Sequence, residues 1–248
     1  MFVSKGRTLV IVLLILSIAL MGCSSQNTAK KSGTESTEKE KTITVSWPRD
    51  MGPMNPHVYN PSQLIAQSMV YEPLVSYKEG GKLAPHLAES WNISQDGKEY
   101  TFKLRQDVKF SDGTAFNAAV VKKNFDSILM NRKNHSWLGF INFVDKTEEV
   151  DEYTFKMTLN QVYYPTLQEL SVVRPVRFLG VAGFPDDGDT SKCVKVSVGT
   201  GPWILSDYKK DESAEYTRNP NYWGDKPKVD KIIVKIIPDG ETRVLAFE

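Results

Sequence analysis

The side chains best able to hold a metal or act as nucleophiles in this 248-residue chain are His57, His86, His135, Cys23 and Cys193. Their spacing argues against a metal centre. Three histidines this far apart would have to converge over long range, and no H-x-x-x-H or C-x-x-C pattern supports it. They read as exposed or structurally hydrogen-bonded imidazoles, and no protein metal ligand is expected. Asp50, Asp112 and Glu169 are scattered carboxylates that read as solvated surface or caps. G-x-S-x-G, Walker and H-E-x-x-H motifs are absent. Gly199-Thr200-Gly201 lacks the G-K-[ST] or G-x-x-G continuation of a phosphate loop. The chain is therefore expected not to be an enzyme and to bind no cofactor.

Cys23 has a different chemistry. Lys5 and Arg7 precede an apolar run from Leu9 to Met21. That run is too short to span a membrane as a helix and suits a secretory leader. It closes on Leu20-Met21-Gly22-Cys23, which resembles a bacterial lipobox, in which the cysteine is lipidated and becomes the new N-terminus. Residues 1–22 are read as a lipoprotein signal peptide. Residues 23–41 hold no large apolar side chain and cannot bury enough surface to offset chain entropy, so they read as a flexible tether. With Cys23 lipidated, Cys193 would have no partner for a disulfide.

The rest is globular in composition, with 40% hydrophobic, 25% charged and 10% aromatic residues, which excludes a disordered or fibrous chain. Lys5 and Arg7 are two of the 31 basic residues, so loss of the leader turns a net charge of +1 into −1. No basic stripe points to nucleic acid.

Several elements must position whatever site exists. Thr42 to Trp47 alternates as a strand. Pro61 to Met69 reads as a short helix with Asn60 as N-cap. Asp96-Gly97 is a turn before a strand carrying Tyr100, Phe102 and Leu104 on one face. Asn117 caps a helix to about Leu129, with Val121, Phe125, Ile128 and Leu129 as its apolar stripe. Tyr153, Phe155, Met157 and Leu159 alternate in another strand, as do Ile232, Val234 and Ile236. Without a regular βαβ repeat, the mixture points to α/β or α+β architecture. Glu241 to Glu248 looks like the start of a helix with no stop signal, the expectation for a truncated product.

Longer stretches carry a family resemblance. Leu83-Ala84-Pro85-His86-Leu87-Ala88-Glu89-Ser90-Trp91, Val108 to Ala118, Gly199-Thr200-Gly201-Pro202-Trp203 and Arg218-Asn219-Pro220-Asn221-Tyr222-Trp223-Gly224 resemble the peptide/nickel family of extracytoplasmic solute-binding proteins. Gly52 to Tyr59, Ala66 to Val75, Asn131-Arg132 with His135-Ser136-Trp137-Leu138, and Arg174-Pro175 with Arg177-Phe178 are most similar to its nickel-binding branch. The resemblance implies an α/β, periplasmic-binding-protein-like fold of two lobes enclosing the ligand, of which residues 42–248 would be an incomplete first lobe.

The resemblance also implies a function and a site. The protein would capture nickel as a small carboxylate-bearing chelate outside the cytoplasm. It would deliver that cargo to the permease and ATPase subunits of an ABC importer. Arg174 corresponds to an arginine that pairs with a ligand carboxylate, work for which a guanidinium is suited. Trp137 corresponds to an aromatic wall and Tyr59 to a hydrogen-bonding tyrosine. Two positions depart from the branch: Asn134 stands where a second arginine is expected, and Leu64 where a methionine is. One carboxylate clamp fewer implies a ligand of lower negative charge or another pose. Oligopeptide or dipeptide capture is the alternative within the family, and a non-functional truncated product is the alternative outside it.

The leader reading predicts that Cys23→Ala abolishes membrane retention of the processed protein. Fractionation after signal processing checks it, and a variant still found with the membrane contradicts the anchor.

Overall fold

The structure, a computed structural model, describes residues 40–52, 54–59 and 64–246. The leader, Cys23 and nearly all of the expected tether lie outside the described residues, as do Asn60 and Pro61, the expected start of the first helix. Among the described residues no helix is long and apolar enough to cross a membrane.

Two four-stranded sheets organise the chain. In the first, Ala88–Ile93 (β4), Glu99–Leu104 (β5), Thr154–Leu159 (β7) and Val144–Asp151 (β6) pair antiparallel in the order β4-β5-β7-β6. Strict alternation puts Tyr100, Phe102 and Leu104 on the buried face of β5, and Phe155, Met157 and Leu159 on that of β7. Tyr153, expected to open β7, lies instead in the turn before it. The Asp151 carboxylate accepts from the Tyr153 N–H and the Thr154 hydroxyl, which fixes that turn.

Ala118–Met130 (α2) packs on this sheet. The Asn117 side chain accepts from the Val120 N–H at 3.1 Å and caps the helix. Val121, Phe125 and Ile128 are fully buried, with Leu129 at the rim. A chain of rings runs through the core: Phe125 stacks on Phe155 at 4.9 Å, Phe155 on Phe102 at 6.3 Å, and Phe178 meets Phe116 edge-on at 5.6 Å. Truncating such a ring to alanine costs about 3–5 kcal/mol.

In the second sheet, Thr42–Trp47 (β1) lies at an edge, parallel to Lys231–Ile236 (β10). Ser213–Arg218 (β9) and Trp203–Lys209 (β8) follow antiparallel, in the order β1-β10-β9-β8. Leu64–Val70 (α1) contributes to the core beneath it with Met51, Met54, Tyr71, Trp203, Tyr216 and Val234. The Gly199 and Gly201 motif has a packing reason. A Cβ on Gly199 would lie 2.0 Å from the Val70 carbonyl oxygen, and the Gly201 N–H donates to that carbonyl at 2.9 Å. The pair lets the backbone close on the end of α1. Val75–Tyr77 (β2) and Leu83–Pro85 (β3) form a small hairpin sheet. The chain also contains the short helices Gly139–Phe143 (α3), Thr166–Leu170 (α4) and Gly240–Leu245 (α5). Asp239 caps α5, and its Val244 and Leu245 are exposed.

A buried polar network joins α2 to the segments that follow β1 and α4. The His57 ring is the hub. Its Nε2 lies 2.9 Å from Asn124 Oδ1 and 3.1 Å from the Arg177 carbonyl oxygen, both acceptors. Its Nδ1 lies 2.8 Å from the Thr190 hydroxyl. Asn124 Oδ1 also accepts from the Leu179 N–H, and the Thr190 hydroxyl meets that of Ser127 at 2.8 Å. Asn55 extends the network, donating to the Thr190 carbonyl at 2.6 Å and accepting from the His57 N–H. With Nε2 protonated and Nδ1 accepting, every ring contact is satisfied by a neutral imidazole.

Burial lowers the His57 pKa from 6.5 to about 4. In the unfolded chain the ring takes up its proton near 6.5, so stability present above that pH is lost as pH falls toward 4. The full loss from this group is about 3 kcal/mol. His135, also lowered by burial, acts in the same direction. Urea unfolding between pH 7 and 4.5 should show a steep acid loss that flattens in His57→Gln, from a lower starting stability. An unchanged slope in the variant contradicts a neutral buried His57.

Candidate functional site

Tyr59 follows the His57 anchor by two residues, and Arg174 precedes the Arg177 carbonyl by three. The hub thereby fixes both segments. The Arg174 guanidinium carbon sits 4.1 Å from the centre of the Tyr59 ring, a cation–π stack. Trp137 meets Tyr59 in turn, their rings 5.7 Å apart at 73°, the edge-to-face geometry favoured by aromatic quadrupoles. Arg174 is 4% exposed, whereas Tyr59 and Trp137 are 56% and 49% exposed. Three residues far apart in sequence thus form one unit: a buried cation stacked on a half-exposed tyrosine ring, which a half-exposed tryptophan meets edge-on.

Two hollows open beside this unit. The larger, about 450 Å³, is lined by Tyr59, Asn134 and Trp137. The smaller, about 200 Å³, shares Tyr59 and Asn134 and continues to Asn131, His135, Thr190 and Ser191, with His57 at its base. His135 lies in the 3-10 turn Arg132–His135 and is 4% exposed. Its Nδ1 is buried and has no hydrogen-bond partner among the described residues. Asn134 is placed where both hollows meet. Leu64 opens α1, is half-exposed and lines neither hollow.

The remaining residues singled out from sequence lie in structural roles. His86 donates from Nε2 to the Glu72 carboxylate at 3.0 Å, and the Trp223 indole donates to the same carboxylate at 2.8 Å. Arg177 is buried and donates to the carbonyls of Ser171 and Val176. Asp50 accepts from Tyr208 and from the backbone of Gly52 and Asp211. Asp112 accepts from the Thr114 N–H and hydroxyl, and Glu169 from the Tyr163 hydroxyl and the Phe140 N–H. Cys193 is a free, exposed thiol. No group of three or more His, Cys, Asp or Glu is arranged to hold a metal among the described residues.

Sequence reasoning missed the small hollow and the network under it. Asn124 carried a usable signal, being a polar residue on the apolar face of α2. Thr190 and Ser191, in a loop of small polar residues, carried none.

Residues 82–248 match the model of the family described as bacterial extracellular solute-binding proteins, family 5 Middle. The chain is 47% identical over 206 residues to the nickel-binding periplasmic protein of Escherichia coli, covering 83% of this chain and 39% of that one. It is 33% identical over 201 residues to di/tripeptide-binding protein 1 of Pseudomonas aeruginosa, covering 72% and 37%. Among solved structures, NikA from Brucella suis in complex with Fe(III)-EDTA superposes with a TM-score of 0.81 at 50% identity, over 83% of this chain and 41% of that one. DppA from Helicobacter pylori in complex with the peptide STSA superposes at 0.71 and 29% identity, over 84% and 45%. The chain spans about two fifths of the length of the relatives it matches. Across that span it has the sheets, the aromatic core and the signature stretches expected of one lobe of a two-lobed binding protein, and it belongs to the family 5 bacterial extracellular solute-binding proteins.

Proposed function

We propose that this chain is the ligand-capturing part of an ABC importer, anchored outside the cytoplasm through a lipidated Cys23, and that its cargo is nickel held in a small carboxylate-bearing chelate. The observation that supports this reading most directly is the Arg174–Tyr59–Trp137 unit at the edge of an open hollow. A guanidinium recognises a planar carboxylate with two parallel hydrogen bonds. Placed among side chains rather than in water, its field is screened less. The rings supply rigid apolar walls for the body of a chelate. No residue of the unit is suited to chemistry on the ligand, so the role is capture and release. The metal is cargo, and delivery would be to permease and ATPase subunits of the importer.

A second reading keeps the fold and changes the ligand. The di/tripeptide-binding relative and the peptide complex of the Helicobacter pylori protein favour peptide capture. A peptide is held chiefly by main-chain hydrogen bonds along an exposed strand edge, which does not call for an arginine stacked beneath a tyrosine.

Enclosure by a second lobe decides the strength. An ion pair open to water is worth at most about 1 kcal/mol, whereas truncating one partner of a desolvated pair costs several. In a protein carrying this chain and a second lobe, Arg174→Ala should weaken binding of a nickel–carboxylate chelate by about 2–5 kcal/mol. Arg177→Ala should change affinity far less, since its guanidinium is committed to the Ser171 and Val176 carbonyls. Isothermal titration reads both. Undiminished binding by Arg174→Ala removes Arg174 from the site, and binding of dipeptides in place of the chelate selects the second reading.

A further inference from the structure

The hollow beside the Arg174–Tyr59–Trp137 unit differs from it in charge. Its lining mixes apolar and polar surface, with Val58 and Tyr59 beside His57, Asn131, Asn134, His135, Thr190 and Ser191, and carries no fixed charge. Both imidazoles are held neutral at neutral pH by burial. What each group has left to offer follows from its existing bonds. The Asn131 amide nitrogen already donates to Asp189 Oδ1 at 2.7 Å and to the Ser127 carbonyl at 3.2 Å. Its remaining function is a carbonyl oxygen, an acceptor. The Thr190 hydroxyl is engaged by His57 and Ser127. The Ser191 N–H is engaged by Asp189 at 2.9 Å. His135 contributes a buried ring nitrogen with no hydrogen-bond partner among the described residues.

Asp189 sets the field behind these groups. Its carboxylate is held ionised by the Ser191 N–H and the Asn131 amide. Exposed Lys192 offsets part of that charge. The hollow is therefore neutral to negative, while the adjoining unit holds the Arg174 cation. A carboxylate in the hollow would face the Asn131 carbonyl oxygen and the solvent-screened charge of Asp189, a like-charge juxtaposition that disfavours it. A neutral hydrogen-bond donor would meet the Asn131 carbonyl oxygen instead, in a site where the buried His135 Nδ1 otherwise stays unpaired among the described residues.

We propose that the small hollow is a second subsite that takes a neutral, hydrogen-bond-donating arm of the bound chelate, such as a carboxamide or a hydroxyl, while a carboxylate arm goes to Arg174. The subsite gives the cargo a stated asymmetry: one anionic arm and one uncharged donor arm, on either side of Tyr59 and Asn134. It rests on the chelate reading above. Asn134, uncharged and shared by both hollows, sets the preference.

Two probes separate the possibilities: the substitution-inert cobalt(III) complex of EDTA, and that of the EDTA monoamide, in which one carboxylate is replaced by a carboxamide. Neither exchanges its metal onto protein imidazoles. Backbone amide shifts of a protein carrying this chain and a second lobe are followed by NMR during titration. Only the ratio of affinities is needed, so weak binding suffices. The monoamide complex should bind at least about tenfold more tightly, a difference of 1.4 kcal/mol, and should shift the Thr190 and Ser191 resonances. Asn134→Arg should reverse the preference, and Ser191→Leu, which fills the hollow, should abolish it while leaving shifts at Trp137. Equal affinities, or shifts confined to Tyr59 and Trp137, overturn the subsite and leave the chelate reading standing. If neither complex moves Tyr59, Asn134 or Trp137 at millimolar concentration, the chelate reading falls and the subsite with it.

Discussion

The imidazole of His57 faces two acceptors on one ring nitrogen and a hydroxyl on the other. A neutral ring with its proton on Nε2 satisfies all three, and burial outweighs the contacts with the Arg177 carbonyl and Asn124 that would favour a second proton. Because those partners come from α2 and from two separate loops, a single tautomer sets the spacing between chain segments more than sixty residues apart. Tyr59 and Arg174 flank this tie, and their stack depends on it. A polar hub of this kind is costly unless every member is bonded. Here Asn124, Ser127 and Asn55 complete it, which gives the loops one arrangement rather than several.

Charge is distributed around the hub in a consistent way. The cation of Arg174 stacks on Tyr59, a wall of both hollows, and the anion of Asp189 is bonded to Asn131 and Ser191 of the smaller one. Between them stands Asn134, where the resemblance led one to expect a second arginine. An arginine there would place a positive charge over both hollows. Asparagine leaves the field divided, and a divided field selects ligands by where their charge sits as well as by how much they carry.

Much of the scaffold was legible in the sequence because its signals are local. The Asn117 cap and the apolar stripe of α2 specify that helix to within a residue, and period-two alternation specifies β5, β7 and β10. The same signal misplaced Tyr153, since alternation runs on through a turn that the Asp151 carboxylate actually fixes. The candidate site was legible only through likeness to a family. Nothing in the spacing of Tyr59, Trp137 and Arg174 announces that they meet. The burial of His57 and the hollow beside His135 left one local trace, polar Asn124 on the apolar face of α2, because Thr190 and Asp189 are supplied by distant segments with no local pattern.

The central claim is that a metal chelate is held at the Arg174–Tyr59–Trp137 unit. Anomalous diffraction at the nickel edge tests it most directly, using crystals of a protein that carries this chain grown with a nickel–carboxylate chelate. The account predicts one strong metal peak over the hollow between Tyr59 and Trp137, with a carboxylate of the chelate paired to Arg174. A metal bound elsewhere with this hollow empty, or a peptide lying in it, contradicts the account.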